Sequence, residues 1–135
     1  MMALATIFLL NLFACTPSTG EDYHQEGQAI LRNLTLVLRK IQSKEELLQN
    51  KEVIKSFYID LVELLIAARE EQRYASFHST SQNPIIKDAK WTKELQAELL
   101  RLYSLEGVRE CIEHLQAEAL RKLDAYEKYR NSNLQ

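Results

Sequence analysis

Apolar residues recur at the three- and four-residue spacing of α-helices in four segments of this chain, and no segment of useful length alternates as a strand does. The first predicted helix runs from about Tyr23 to Ile41. Its expected apolar face consists of Ile30, Leu34, Val37 or Leu38, and Ile41. The chain is therefore expected to be all-α.

The second predicted helix runs from about Lys44 to Tyr74, with a kink or restart near residues 49–51. Ser43 and Glu46 match a capping box, with Ser43 as N-cap. The broad apolar face predicts a central helix with more than one neighbour. It comprises Ile54, Phe57, Tyr58, Leu61, Leu64, Leu65 and Ala68, widened by Val62 and Ile66. The polar end, Arg69–Arg73, is expected to project into solvent.

Two further helices are predicted after the longest irregular stretch of the chain. The third runs from about Asp88 to Tyr103. The fourth runs from an N-cap at Ser104 to about Arg130, with Glu106 favourably placed in its first turn. The expected buried positions are Trp91, Leu95, Leu99 and Leu102, then Val108, Ile112, Leu115, Ala119, Leu123 and Tyr126.

Short connections between long helices predict antiparallel neighbours. We therefore expect an up-down helical bundle of three long helices and one shorter helix, in a single domain at residues 23–131, with a disordered tail at 132–135. Only three glycines and two prolines, with 27% charged residues, fit this helical composition. The alternative is an elongated helical hairpin that completes its core by forming a homodimer.

The N-terminal segment has a different pattern. Residues 3–14 form an apolar run of the length of the h-region of a signal peptide, about 7–15 residues. The run is too short to span a bilayer, which needs about 20 apolar residues. After Cys15 the sequence becomes small and polar up to Asp22, as in a flexible tether. We interpret residues 1–14 as a signal peptide and residues 15–22 as a lipidated cysteine with its tether.

The sequence Leu12-Phe13-Ala14-Cys15 resembles the lipobox of bacterial lipoproteins, in which an aliphatic residue and two mostly small residues precede an invariant cysteine. The resemblance implies that diacylglycerol is attached to the Cys15 thiol and that a peptidase cuts after Ala14. It also implies acylation of the new amine. Because Thr16 follows the cysteine instead of Asp, the resemblance implies the outer membrane, facing the periplasm.

One observation keeps an alternative open. No Lys or Arg precedes Cys15, although signal peptides usually begin with positive charge. In the alternative, residues 3–14 form a buried N-terminal helix and Cys15 is a core thiol. The protein would then be an intracellular helical adaptor or chaperone-like module.

No catalytic frame is recognisable, so we do not expect an enzyme or a cofactor. A nucleophile elbow and a glycine-rich phosphate loop are both missing from the sequence. Glu110, His114 and Glu118 have a spacing that could bind zinc. We interpret them as part of a solvated face, with the intrahelical pairs Glu106–Arg109 and Glu118–Arg121, and expect no metal. His24 and His78 lie in other segments.

The remaining candidates concern partners. The net charge of −2 without a basic block argues against nucleic acid. With Cys15 acylated, Cys111 has no internal disulfide partner and is expected to be a buried small apolar residue.

Tyr74, Phe77 and His78 lie at the edge of the irregular stretch, where aromatic side chains can anchor a partner, but we expect them mainly to pack the loop onto the bundle. Tyr103, Tyr126 and Tyr129 are expected to place their hydroxyls at the rim while their rings help to close the core. A ligand-binding role would require an apolar cavity between the second and fourth predicted helices.

These observations predict a small membrane-anchored lipoprotein that presents a helical bundle for structural or protein-interaction work at the cell envelope. Its expected contacts are the membrane, through lipid on Cys15, and an envelope protein.

Overall fold

The computed structural model describes residues 20–76 and 90–134 of the chain, and all regular structure in these residues is α-helical. This confirms the all-α class. The five helices are α1 (Gly20–Arg39), α2 (Lys44–Gln49), α3 (Lys51–Ser76), α4 (Lys90–Tyr103) and α5 (Val108–Ser132). Helix α1 begins three residues before the predicted start and so includes the last residues of the predicted tether.

The second predicted helix is divided into α2 and α3 at Asn50, which confirms the expected restart. The Ser43 hydroxyl accepts a hydrogen bond from the Glu46 backbone N–H at 3.2 Å, as a capping box requires. The Glu46 carboxylate accepts its bond from the Gln42 N–H at 2.6 Å, one residue earlier than the standard motif predicts. Both ends of this short helix are therefore fixed, because the Asn50 N–H also bonds to the carbonyls of Glu46 and Leu47.

Loss of the Ser43 cap is expected to destabilise the fold. Ser43→Ala should lower the free energy of unfolding by about 1 kcal/mol, since one N-terminal amide loses its acceptor. Urea denaturation followed by circular dichroism measures the change. Ser56→Ala is the matched control, because the Ser56 hydroxyl only donates to the Val53 carbonyl within α3. An equal effect of the two substitutions would contradict the capping role.

The predicted N-cap at Ser104 is wrong. The Ser104 hydroxyl donates to the Arg101 carbonyl at 2.6 Å and thus belongs to the end of α4. The N-cap position of α5 is Gly107, whose φ of 70° is accessible mainly to glycine. Leu105 packs against the core between the two helices, so the chain turns for three further residues before α5 starts. Glu106 consequently precedes α5.

Ion pairs and close contacts give the helix directions. Lys55 pairs with Glu118, and Arg69 pairs with Glu127, so α3 and α5 are parallel. Trp91 at the start of α4 shares a shallow groove with residues 24–32 of α1, whereas Arg101 near its end bonds to Ile41, so these two helices are also parallel. Gly27 near the start of α1 faces Leu64 in the second half of α3, whereas the end of α1 is joined to the start of α3 through the short helix α2, so α1 and α3 are antiparallel.

Helix directions alternate along the chain, as in an up-down bundle, but consecutive helices are not always neighbours. The main packed pairs are α1 with α3, α1 with α4, and α3 with α5. Helix α3 therefore has the central position that its broad apolar face predicted. The antiparallel neighbours expected from short connections are found for α1 and α3, whereas α3 and α4 lie at opposite corners.

The core collects side chains from all five helices, so the described residues form a bundle and not an isolated hairpin. The buried apolar residues are Leu34, Leu38, Ile41, Leu47, Ile54, Leu102, Val108, Ile112, Leu115 and Ala119. They lie near the turns at residues 40–50 and 104–107, which we call the turn end. The opposite end, where α1 and α4 begin and α3 and α5 finish, is called the base.

Several residues expected in the core are less buried. Leu65 is 40% exposed, and Ile30, Trp91, Leu123 and Tyr126 are only half-buried. All five helices contribute buried side chains near the turn end, whereas apolar side chains towards the base remain partly accessible. The burial thus weakens with distance from the two turns.

The polar end of α3 does not simply project into solvent. Arg69 pairs with Glu127, and the Tyr126 hydroxyl donates to the Glu70 carboxylate at 2.6 Å. The physical reason is that α5 runs parallel to α3 and has nearly the same length, so its last turns lie beside this segment.

Candidate functional site

The residues of the predicted lipobox, Leu12, Phe13, Ala14 and Cys15, lie outside the described residues. The same holds for Phe77, His78 and the side chain of Tyr74. Helix α1 starts at Gly20, so only Thr16–Thr19 separate Cys15 from it. At roughly 3.5 Å per residue, a chain of this length reaches at most about 18 Å from Cys15 to Gly20.

Of the zinc candidates Glu110, His114 and Glu118 on α5, Glu118 forms an ion pair with a residue of α3. Lys55 Nζ lies 2.5 Å from a Glu118 carboxylate oxygen, instead of the predicted pairing of Glu118 with Arg121. The hydrogen bond from Lys55 lowers the pKa of Glu118. Among the described residues no group of three or more His, Cys, Asp or Glu side chains could hold a metal ion. Glu118 thus has a clear role in helix packing.

Further polar contacts join the same two helices. Lys122 pairs with Glu63, and the Tyr126 hydroxyl bonds to Glu70, which raises the pKa of Tyr126. These groups are about half-exposed, so each contributes modestly to stability. Tyr126 therefore closes the edge of the α3–α5 interface, while Tyr129 is 64% exposed.

Hydrogen bonds of Arg101 and Arg39 join α1 to α4. Arg101 donates to the backbone carbonyls of Leu38 and Ile41, each at 2.9 Å, and to the Glu98 carboxylate at 2.8 Å. Arg39 also bonds to Glu98 and to Glu94. The hydrogen bond from Arg101 is the main reason that the pKa of Glu98 is lowered, followed by that from Arg39. This arrangement fixes the end of α1 and offers no reactive group.

A groove of ≈ 760 Å³ lies at the turn end, between α2 with the start of α3 on one side and α5 on the other. This is the helix pair where the sequence placed a possible ligand cavity, but the space is open to solvent and has charged walls. Its lining residues are Lys44, Leu48, Lys51, Glu106, Gly107, Glu110, Cys111, His114 and Leu115.

The groove contains both apolar and charged lining residues. Leu48 is 45% exposed, Leu115 is buried, and Cys111 is half-buried, not fully buried as the sequence suggested. Lys44 and Lys51 lie on the wall formed by α2 and α3, and the Lys44 side chain reaches across to Gly107. Glu106, in the turn before α5, and Glu110 on α5 form the opposite wall.

None of the four charged groups on these walls forms a salt bridge with a described residue. The expected Glu106–Arg109 pair is replaced, because Arg109 bonds to Glu113 at 3.0 Å and lies over the Tyr103 ring. The groove therefore combines an apolar floor with cationic and anionic walls whose charged groups form no salt bridge with a described residue.

The sequence interpretation missed Lys44, Leu48 and Lys51. The adjacent leucines of α2 carry the signal that would have identified this surface. A helix of six residues cannot direct Leu47 and Leu48 towards the same core, because neighbours along a helix differ by about 100°. Leu47 is fully buried, and Leu48 is left facing the groove.

A second, shallow groove of ≈ 270 Å³ lies between α1 and α4 near the base. His24, Gln28 and Arg32 line it together with Trp91, and the Lys90 ammonium lies 5.1 Å from the Trp91 ring centre. The small volume makes this groove a weaker candidate than the one at the turn end.

In residues 20–76 and 90–134, no helix has the length and apolar character required to cross a bilayer. No family model matches the chain, and no curated protein or solved structure matches it either.

Proposed function

We propose that this protein is a bacterial lipoprotein, attached to the outer membrane through lipid on Cys15, that presents its helical bundle to another envelope protein in the periplasm. The supporting observation is the sequence of an apolar run, Leu12-Phe13-Ala14-Cys15 and a short polar segment directly before α1. A diacylglyceryl group supplies two acyl chains, and each buried CH₂ contributes about 0.8 kcal/mol to membrane binding.

The short link gives the bundle an orientation in this proposal. Gly20 at the base lies within about 18 Å of the lipidated cysteine, so the base faces the membrane. Helix α1 has 20 residues and therefore extends about 30 Å from the base towards the turn end. The groove at the turn end then faces away from the lipid, where a periplasmic partner has access to it.

Metabolic labelling with a palmitate analogue tests the anchor. Wild-type full-length chain should incorporate label, migrate as the processed form and fractionate with the outer membrane. Cys15→Ser should lose label and processing together, because the thiol is the acceptor. Cys111→Ser is the matched control and should be labelled like wild type. Equally low labelling of the wild type and Cys15→Ser would refute the proposal.

A second candidate is an intracellular helical adaptor, favoured by the lack of Lys or Arg before Cys15. In that case residues 1–14 would remain attached to the mature chain. Mass spectrometry of the purified full-length product separates the two candidates, because it detects either the intact N-terminus or a lipidated Cys15.

A further inference from the structure

We propose that the groove at the turn end binds one amphipathic helix of a partner protein, with acidic residues along one edge of that helix and basic residues along the other. This inference rests on the proposed function, because it identifies the chemistry of the envelope partner that the anchored bundle would meet. The groove brings an exposed apolar side chain, Leu48, together with charges of both signs that form no salt bridge with a described residue.

The apolar contact of the partner helix would be made with Leu48, Cys111 and Leu115. Leu48 cannot rotate into the core, because α2 has only six residues and both of its ends are fixed by Ser43 and Asn50. Its 45% exposure is therefore a lasting feature of the fold. An apolar stripe laid along the groove would remove this side chain from water, which is favourable in proportion to the buried area.

The charges of the two walls specify the edges of the partner helix. Lys44 and Lys51 would meet its acidic edge, and Glu106 and Glu110 its basic edge. Several charges that face a neighbouring helix elsewhere in the bundle are paired, as in Lys55–Glu118 across α3 and α5. Charges of opposite sign across a groove fix the register and orientation of a bound helix and discriminate against wrong partners.

The shape and the net charge of the groove argue against other occupants. It is concave, so a second copy placed groove to groove would leave a space between the two floors. Two lysines and two glutamates cancel, so the groove as a whole attracts neither an anion nor nucleic acid. A convex helix can lie along such an open groove and place its apolar stripe on Leu48, Cys111 and Leu115.

Site-specific photocrosslinking in living cells tests the proposal. A photoreactive amino acid replaces Leu48 in the full-length chain, and the crosslinked peptide is identified by mass spectrometry. The control places the same group at Leu36, which is similarly exposed at 40% but lies on α1, away from the groove. We expect an adduct from position 48 with an amphipathic helix of one other protein, and none with that protein from position 36.

Charge reversal then tests the two walls. Lys44→Glu with Lys51→Glu should lower the adduct yield about tenfold, since two favourable charge pairs become repulsive. Reversing the acidic edge of the identified helix should restore the yield. Neither lysine has a salt bridge in the bundle, so the far-ultraviolet circular dichroism should be unchanged.

Each result supports or overturns the docking site. An adduct of the chain with itself or with lipid overturns it, and so does an adduct that the charge reversal leaves unchanged. Absence of any adduct also overturns it when Cys15 is labelled normally in the same cells. If Cys15 is unlabelled and the position-48 adduct still shows the charge dependence, the proposed membrane anchor fails and the groove assignment stands.

Discussion

Leu38→Ala is expected to be the most destabilising single substitution considered for this fold. It should lower the free energy of unfolding by about 3 kcal/mol, because truncation of a fully buried leucine removes apolar burial and leaves a cavity. Leu38 is 0% exposed and lies in the cluster that joins α1 to the other helices. Urea denaturation of the full-length chain, followed by circular dichroism, measures the loss.

Leu36→Ala is the control for this measurement. Leu36 lies two residues away on the same helix and is 40% exposed, so its truncation should cost less than about 1 kcal/mol. Similar losses for Leu36→Ala and Leu38→Ala would mean that α1 does not bury the face assigned to it.

Arg101→Gln should have the second-largest effect, a loss of about 2–3 kcal/mol. The substitution leaves the carbonyls of Leu38 and Ile41 without their charged donor, and hydrogen bonds to charged groups contribute about 1.5–3 kcal/mol. A cation at this position also favours the C-terminal end of α1. Arg101→Lys should recover only part of the loss, because the ammonium cannot reproduce the fork that reaches both carbonyls.

Arg109→Gln serves as the control for Arg101→Gln. Arg109 pairs with Glu113 on an exposed face of α5, which contributes about 0.3–0.5 kcal/mol, and lies over the Tyr103 ring, which adds about 0.5–1 kcal/mol. Thermal or urea unfolding of both variants gives the comparison. If Arg101→Gln lowers the free energy of unfolding no more than Arg109→Gln does, the hydrogen bonds of Arg101 do not hold α1 and α4 together as we infer.

The same contact predicts a pH dependence. The pKa of Glu98 is lowered in the folded state, first by the hydrogen bond from Arg101, so Glu98 stabilises the fold above its unfolded pKa. This stabilisation is lost as the pH falls through the lowered folded pKa, below the usual value of 4.5. The stability difference between wild type and Arg101→Gln should therefore shrink on acidification below about pH 4. A constant difference from pH 7 to pH 3 would contradict this link.

The sequence identified the helices well because their signals are local. The three- and four-residue spacing located every helical segment of the described chain, and the Ser43–Glu46 pattern located the start of α2. The predicted N-cap at Ser104 failed because residue type alone favoured serine. The true position depends on Leu105 packing into the core and on the φ of 70° at Gly107.

The candidate sites also differ in whether they depend on local sequence or on packing. The spacing of Glu110, His114 and Glu118 on α5 is one that could bind zinc, but Glu118 forms an ion pair with Lys55 of α3. The groove was not recognised, since Lys44 and Glu106 are distant in sequence and meet only through packing. The proposed lipobox, in contrast, is a pattern of consecutive residues, so its prediction needs no tertiary contact.

The sequence by itself thus determined the all-α class, the approximate helix limits and the α2 cap, and it predicted a lipid anchor at Cys15. These depend on backbone hydrogen bonds, side-chain periodicity and motifs within a few residues. Only the tertiary structure decided that α1 packs on α4, that α3 packs on α5, and that Leu48 faces an open groove with charged walls. Short connections restrict helix direction but not the choice of neighbour, which is decided by the burial of side chains from distant parts of the chain.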